Sequence, residues 1–179
     1  MAAFASLIIF ASMDANFKQL IRYFPLGKLP FSLEKGSEHE FAMTNESLPM
    51  AVLEELLSPH LAFELDEFSE LMPGVHWRTA EGGYVLVFWA ARLLRHSFYL
   101  FSYSPEGEWL DDAEVAGFFF EEGQMISRMA NIEEPDSFHV VEAVIPDDSG
   151  IIDASTTTKW LIEIDHEGKF RQSDASDME

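Results

Sequence analysis

Two aromatic and β-branched runs near the middle of the chain constrain its fold more than any other feature. They occupy residues 84–91 and 97–103, and a short polar break separates them. Together they have about the length of a transmembrane helix. However, Arg92 and Arg95 lie in the break, and charges at a bilayer centre are costly. The two runs are therefore predicted to be strands joined by an exposed connection, with one buried helix as the alternative.

Turn residues on both sides favour the strand interpretation. Gly82 and Gly83 precede the first run, and Pro105 and Gly107 follow the second. Glycine supplies the positive φ that tight hairpins need. Similar segments separated by hairpin-like connections predict an antiparallel β-meander. Its further candidate strands are residues 75–79, 108–118, 124–132, 138–145, 157–165 and 169–171.

The chain before the meander has helical signals. Asp14 is a suitable N-cap for a helix over residues 15–23, and its apolar residues recur with helical spacing. Ser47 is expected to cap a second helix with Pro49 in its first turn. The polar residues 36–45 are predicted to form a loop, and residues 61–71 fit helix or strand equally well.

These elements predict an α+β fold. Short N-terminal helices are expected to pack on a curved antiparallel β-meander or partly open barrel of about seven strands. Residues 1–171 are predicted to form a single α+β domain, and residues 172–179 a disordered acidic tail.

The charge balance restricts the possible partners. The chain has 32 acidic and 11 basic residues, a net charge of −21, and residues 121–179 contain 15 of the acidic groups. Such a field repels phosphate backbones and anionic lipid surfaces, so no nucleic-acid partner is expected. It attracts basic proteins. The alternative is that the charge serves solubility alone.

The apolar residues 1–13 allow three interpretations: a core element, a weak signal peptide, or an extension that precedes a start at Met13. The run is too short to span a bilayer as a helix, and no Lys or Arg precedes it. A cytoplasmic location is favoured, with the envelope or secretion as alternatives if residues 1–15 act as a signal. No membrane span is expected, and the oligomeric state stays open.

Motifs for catalysis are absent from the sequence. It has no cysteine, no G-x-S-x-G motif, no P-loop and no dinucleotide fingerprint. Its six histidines have no metal-ligand spacing in the chain. The sequence therefore predicts no cofactor, no metal and no enzymatic activity. A carboxylate-based hydrolase is the alternative, and it needs two carboxylates facing each other across a cleft.

Two groups of residues are candidates for binding. Aromatic side chains on a sheet can line a ligand site, and the candidates of this kind are Trp77, Trp89, Trp109 and Trp160. Clustered carboxylates can meet a basic partner, and the candidates are Asp111, Asp112, Glu114, Glu121 and Glu122.

The chain resembles uncharacterised bacterial β-meander proteins, many of which are exported lipoproteins. The resemblance is carried by the strand–Glu-Gly–strand hairpins at 105–109 and 166–170, the segment 156–170 and the early segment 23–31. The resemblance implies a β-rich fold and brings no catalytic residues. A lipoprotein needs a cysteine at its cleavage site, and this chain has none. The favoured function is an acidic protein-interaction module of the immunity or inhibitor type. A ligand-binding sheet of the bacterial envelope is the alternative.

Overall fold

The computed structural model describes residues 13–146 and 154–175. The predictions for residues 1–12 and for the last four residues of the tail lie outside this range. The described elements include three helices and nine strands, and a 3₁₀ turn (Ala154–Thr156) precedes the eighth strand. The helices are α1 (Ala15–Ile21), α2 (Ser37–Thr44) and α3 (Met50–Val52), and α3 continues as a π-helical turn (Leu53–Leu57) and a 3₁₀ turn (Ser58–His60).

The strands are β1 (Phe31–Leu33), β2 (Glu70–Arg78), β3 (Tyr84–Arg92), β4 (Arg95–Tyr103), β5 (Trp109–Glu121), β6 (Gln124–Glu134), β7 (Ser137–Ile145), β8 (Thr158–Ile164) and β9 (Phe170–Asp174). Strands β2 to β9 are neighbours in chain order, and β1 pairs with β6. All pairs are antiparallel. The predicted α+β meander is confirmed, with a sheet that is not closed into a barrel.

Strands β3 and β4 are buried on both faces, which explains why their sequences are almost continuously apolar. Alternate residues enter two different cores. The sheet core consists of Leu33, Trp77, Val85, Val87, Phe98, Leu100, Val115, Ala116, Ala130, Ile132, Phe138, Val140 and Ile162. The helix-side core consists of Phe17, Leu20, Phe24, Val52, Leu57, Tyr84, Leu86, Phe88, Ala90, Tyr99, Phe101 and Tyr103.

Side-chain hydrogen bonds join the first strands of the meander to its later hairpins. The Trp77 indole N–H donates to the Pro135 carbonyl at 2.9 Å, in the turn between β6 and β7. The Ser102 hydroxyl donates to the Gly168 carbonyl at 2.6 Å, in the turn between β8 and β9. These bonds bring strands that are distant in sequence together at one end of the sheet.

Glycines at two of the predicted hairpins have the expected backbone conformation. Gly107 has a φ of 91° and Gly168 a φ of 76°. A Cβ at Gly107 would also lie 2.6 Å from the Phe17 side chain. Gly107 therefore serves two purposes, the left-handed turn and the close approach of α1.

Three local predictions differ from the structure. Residues 37–44 form α2 rather than a loop, because Glu38 caps the Gly36 N–H and Phe41 packs edge-to-face on Phe98. Phe41 is the one apolar anchor of α2, so the sequence of this helix shows no helical periodicity of apolar residues. Pro49, not Ser47, occupies the N-cap of α3. Residues 172–174, expected in the disordered tail, lie in β9, where pairing with β8 holds a polar sequence in the sheet.

Candidate functional site

A groove lies between the α3 segment and the irregular chain that follows it. The groove has a volume of about 810 Å³. Its lining includes the apolar side chains of Met50, Leu53, Leu61, Phe63, Leu65 and Leu71. The carboxylates of Glu54, Glu64 and Asp66 also line it, and all three residues are exposed. An apolar surface bordered by negative charge is therefore open to solvent.

The Asp66 carboxylate is fixed by its own turn. The Ser69 hydroxyl donates to it at 2.8 Å, and the Phe68 backbone N–H donates at 3.0 Å. The bond from Ser69, followed by the bond from Phe68, lowers the pKa of Asp66. Hydrogen bonds of this kind favour the charged form, so this border of the groove is negative at neutral pH.

The groove reaches the β3–β4 hairpin through Phe63. The Arg92 guanidinium lies 3.8 Å from the centre of the Phe63 ring, a cation–π contact. The next two residues, Leu93 and Leu94, form the hairpin tip and are 80% and 65% exposed. Phe68, before β2, is 71% exposed. Exposed apolar side chains thus continue beyond the groove, as is typical of interaction surfaces.

A partly buried ion network lies beside this hairpin, centred on Glu114. Arg95 donates to its carboxylate at 2.6 Å, and Arg128 lies 3.5 Å away. The hydroxyl of Ser97 donates to it at 3.1 Å. Arg128 also contacts Glu142 at 2.6 Å. The charge of Glu114 is therefore matched inside the protein, so it offers little to a partner.

Tyr99 connects this network to the helix-side core. Its hydroxyl donates to Glu114 at 3.1 Å and accepts from Arg92 at 2.7 Å. Burial, and after it the negative charge of Glu114, raises the pKa of Tyr99 to about 12. The phenol is therefore neutral throughout the physiological range and acts as a fixed link between the two groups.

A second concave site, which we call the Trp109 cavity, lies between α1, the α3 segment and the start of β5. It measures about 260 Å³ and is lined among others by Phe17, His60, Tyr103 and Trp109. The His60 ring stacks on the Trp109 indole, with centroids 4.6 Å apart and an interplanar angle of 9°. Burial lowers the pKa of His60, so its imidazole is neutral at neutral pH.

A third cavity, also of about 260 Å³, lies where the hairpin ends meet. Asp165 lines it, and its carboxylate accepts from the backbone N–H groups of Lys169 and Glu167 and from Arg171. The bond from Lys169 is the main cause that lowers the pKa of Asp165 to about 2. A carboxylate held in this way is a turn-stabilising group rather than a general acid.

The four candidate tryptophans are not grouped at one site. Trp77 is buried in the sheet core, and its indole N–H donates a hydrogen bond to the Pro135 carbonyl. Trp89 and Trp160 are half-buried against the same core, and Arg128 lies 5.4 Å from the Trp160 ring. Trp109 alone among the four lines one of the three concave sites described above.

The candidate acidic residues divide into two groups along β5. Asp111 accepts from the Phe170 backbone N–H at 2.9 Å, and burial followed by the charge of Asp111 raises the pKa of Asp112. Glu121 and Glu122 lie at the opposite end of the strand, roughly 30 Å away at about 3.3 Å per residue. Together with the matched charge of Glu114, this arrangement gives no single acidic patch on β5.

The residues that line the groove were missed as a site in the sequence. Residues 61–71 mix apolar and acidic side chains in a pattern that separates neither helix from strand nor core from surface, and that mixture is the available signal. An irregular segment with such a composition can expose both kinds of side chain on one surface. Tyr103 was also missed, because its strand pattern indicates a core residue and nothing more.

Comparisons with protein-family models, curated proteins and solved structures found no match. Within residues 13–146 and 154–175, no group of side chains is arranged to hold a metal ion. Over the same residues, no helix has the length and apolar character needed to cross a membrane. The fold therefore defines the class coarsely: an α+β protein built on an open antiparallel meander.

Proposed function

We propose that the protein is an acidic protein-interaction module that binds a basic, amphipathic segment of a partner protein in the groove. The observation that carries this proposal is the combination of partly exposed apolar side chains with the exposed carboxylates of Glu54, Glu64 and Asp66 along one groove. Apolar contacts supply affinity in such sites, and charge complementarity supplies orientation and rapid association.

The size and continuity of the surface support a segment of a protein rather than a small molecule. The groove is about 810 Å³ and extends through Phe63 towards the exposed Leu93 and Leu94. An amphipathic helix commonly docks in this way, with apolar anchors at helical spacing in the groove and basic residues along its border. The overall charge of −21 adds long-range attraction for such a partner.

A partner of this kind fits an immunity- or inhibitor-like role, in which an acidic protein covers a basic one.

The alternative of a carboxylate-based hydrolase has less support. Asp112 has the raised pKa that a general acid needs, but Asp111 is its neighbour in a strand. Successive strand residues point to opposite faces, so the pair does not face across a cleft.

The test uses a synthetic amphipathic helix of leucine and lysine as the partner. We expect it to bind the native protein, and we expect Glu54→Gln combined with Glu64→Gln to weaken binding about fivefold to tenfold at low salt. The difference should shrink as salt is raised, because the charges are exposed. Calorimetric titration at two salt concentrations gives both quantities.

The matched control neutralises Glu134 and Glu163, which are exposed residues outside the groove. The control variant loses the same net charge as the groove variant. If the peptide binds in the groove, the control variant should bind it more tightly than the groove variant does. Equal losses in the two variants would mean that overall charge alone attracts the peptide, and the groove proposal would fail. Met50→Ser, at a residue 65% exposed on the groove, tests the apolar contribution separately.

A further inference from the structure

A concave surface on α1 has the opposite charge to the groove. This surface, which we call the α1 site, has a volume of about 490 Å³. It is lined by Ala15, Lys18, Gln19, Arg22, Tyr23 and Glu46. It therefore combines two cations with one carboxylate, in a chain that has 32 acidic and 11 basic residues. Such a local excess of positive charge attracts an anionic group.

The two cations of the α1 site are not neutralised by the protein. Lys18 and Arg22 are exposed, and within the described residues neither side chain has a hydrogen bond or an ion pair. The other arginines of the chain all donate to groups of the protein, and they are Arg78, Arg92, Arg95, Arg128 and Arg171.

Lys18 and Arg22 lie on one face of α1. They are four residues apart, and Arg22 keeps helical backbone angles at the C-cap of the helix. Residues with this spacing have Cβ atoms about 5–6 Å apart. Both long side chains line the same concave surface, so one carboxylate between them is within reach of both.

The α1 site lies next to the groove. Helix α1 shares the helix-side core with the α3 segment through Phe17 and Leu20. Glu46 lines the α1 site and Met50 lines the groove. Four residues of chain span at most about 14 Å, whereas a helix of about ten residues is about 15 Å long. One partner helix is therefore long enough to lie in the groove and to reach the α1 site.

The charge of the whole protein determines which anion suits the α1 site. A net charge of −21 repels small free anions, and exposed ion pairs alone contribute little to affinity. An acidic side chain on a segment already held in the groove avoids most of the cost of association, because its contact is intramolecular. The α1 site therefore suits an acidic residue of the partner rather than free phosphate.

We propose that the α1 site binds an acidic residue beyond one end of the partner's basic segment, and so fixes the direction in which that segment lies in the groove. This inference rests on the proposed function. The partner it describes is basic and amphipathic along the groove and acidic at one end only. Charges placed in this way determine orientation and specificity more than overall affinity.

Three synthetic helices test the proposal by calorimetric titration at low salt. The reference is the helix of leucine and lysine that tests the groove. The other two helices carry two additional glutamates, one at its N-terminus and the other at its C-terminus. We expect one of these two extended helices to bind the native protein about threefold to tenfold more tightly than the other.

The variant that combines Lys18→Gln with Arg22→Gln should bind both extended helices alike, because neutral side chains do not distinguish the two ends. Glutamine is a good helix former, so α1 should be retained. The matched control combines Lys28→Gln with Lys159→Gln, at two exposed residues outside the groove and the α1 site. It removes the same net charge and should keep the difference between the extended helices.

The outcomes distinguish failure of this inference from failure of the proposed function. If the reference helix does not bind in the groove, both fail. If the reference binds there but the two extended helices bind the native protein alike, this inference alone fails. It also fails if their difference persists in the Lys18 and Arg22 variant, or if the control variant loses the difference to the same extent.

Discussion

Trp77 and Trp109 have buried indole nitrogens in opposite situations. In the sheet core, the Trp77 N–H reaches the Pro135 carbonyl at 2.9 Å. Beside the helix-side core, the Trp109 N–H has no partner. The other buried side-chain nitrogen and oxygen atoms without a partner in the described chain are Tyr103 Oη and Arg92 Nε. Tyr103 belongs to that same core, and Arg92 contacts Phe63, which packs against it.

This difference matches a division of the molecule. The sheet core stabilises the fold, whereas the helix side contains the groove and the Trp109 cavity, which are candidate binding sites. In the sheet core, hydrogen bonds join distant hairpins, and a cavity of about 260 Å³ remains where the hairpin ends meet. The helix side is covered by short segments that leave the groove and the Trp109 cavity between them.

The largest expected effect concerns the sheet core. Phe98 is 1% exposed, so Phe98→Ala should lower the free energy of unfolding by about 3–5 kcal/mol through lost burial and a cavity. Urea denaturation followed by circular dichroism measures the change. The same substitution at Phe68, which is 71% exposed, should stay within about 0.5 kcal/mol. A loss at Phe98 no larger than at Phe68 would contradict the assignment of the core.

The second prediction compares a used donor with an unused one. Trp77→Phe should cost about 1–3 kcal/mol, because the bond to the Pro135 carbonyl is lost and the smaller ring leaves space in the core. Tyr103→Phe removes a hydroxyl without a partner and should change stability by less than about 0.5 kcal/mol or increase it. Urea midpoints of the two variants provide the comparison. Equal losses would show that the two cores do not differ in this respect.

The sequence predicts the sheet far better than it predicts the surface that covers it. All eight strand segments proposed from residue 75 onwards correspond to β2–β9, because turn glycines such as Gly107 and Gly168 mark their ends. The additional strand β1 has three residues, too few for a pattern. Helix α2 was missed because its single anchor, Phe41, meets the sheet core through tertiary contact.

The candidate sites depend on contacts that no local pattern records. Trp109 was named from composition alone, and its partners in the cavity, Phe17, His60 and Tyr103, come from three separate parts of the chain. Glu114 is a candidate for partner binding in the sequence, and in the structure its carboxylate contacts Arg95 and Arg128. Whether a carboxylate is free or matched depends on sheet register, which one sequence does not specify.

A smaller effect on stability is expected at the N-terminus of α1, where the helix side of the molecule begins. Asp14 accepts from the backbone N–H groups of Asn16 and Phe17, at 2.8 and 2.9 Å. Asp14→Ala should therefore destabilise the protein by about 1 kcal/mol, the usual value for a lost N-cap. Asp14→Ser keeps an acceptor and is the control. If both variants unfold at the native urea midpoint, α1 does not contribute to global stability and opens separately from the sheet.

The smallest expected effect on stability concerns the ionisation of Tyr99, and it occurs only at alkaline pH. Its pKa of about 12 in the folded protein exceeds the value of about 10 for tyrosine in an unfolded chain. Between these values the unfolded chain releases the phenolic proton more readily. Stability therefore falls as pH rises through this window and is unaffected below it.

Tyr99→Phe removes this titration, so its stability should fall less steeply between about pH 10 and about pH 12 than that of the native protein. Urea midpoints across that range, with tyrosinate absorbance recorded in parallel, measure both slopes. Identical slopes would mean that Tyr99 ionises at its ordinary pKa. The phenol would then not be buried beside the Glu114 carboxylate, which contradicts the position that the structure gives to Tyr99.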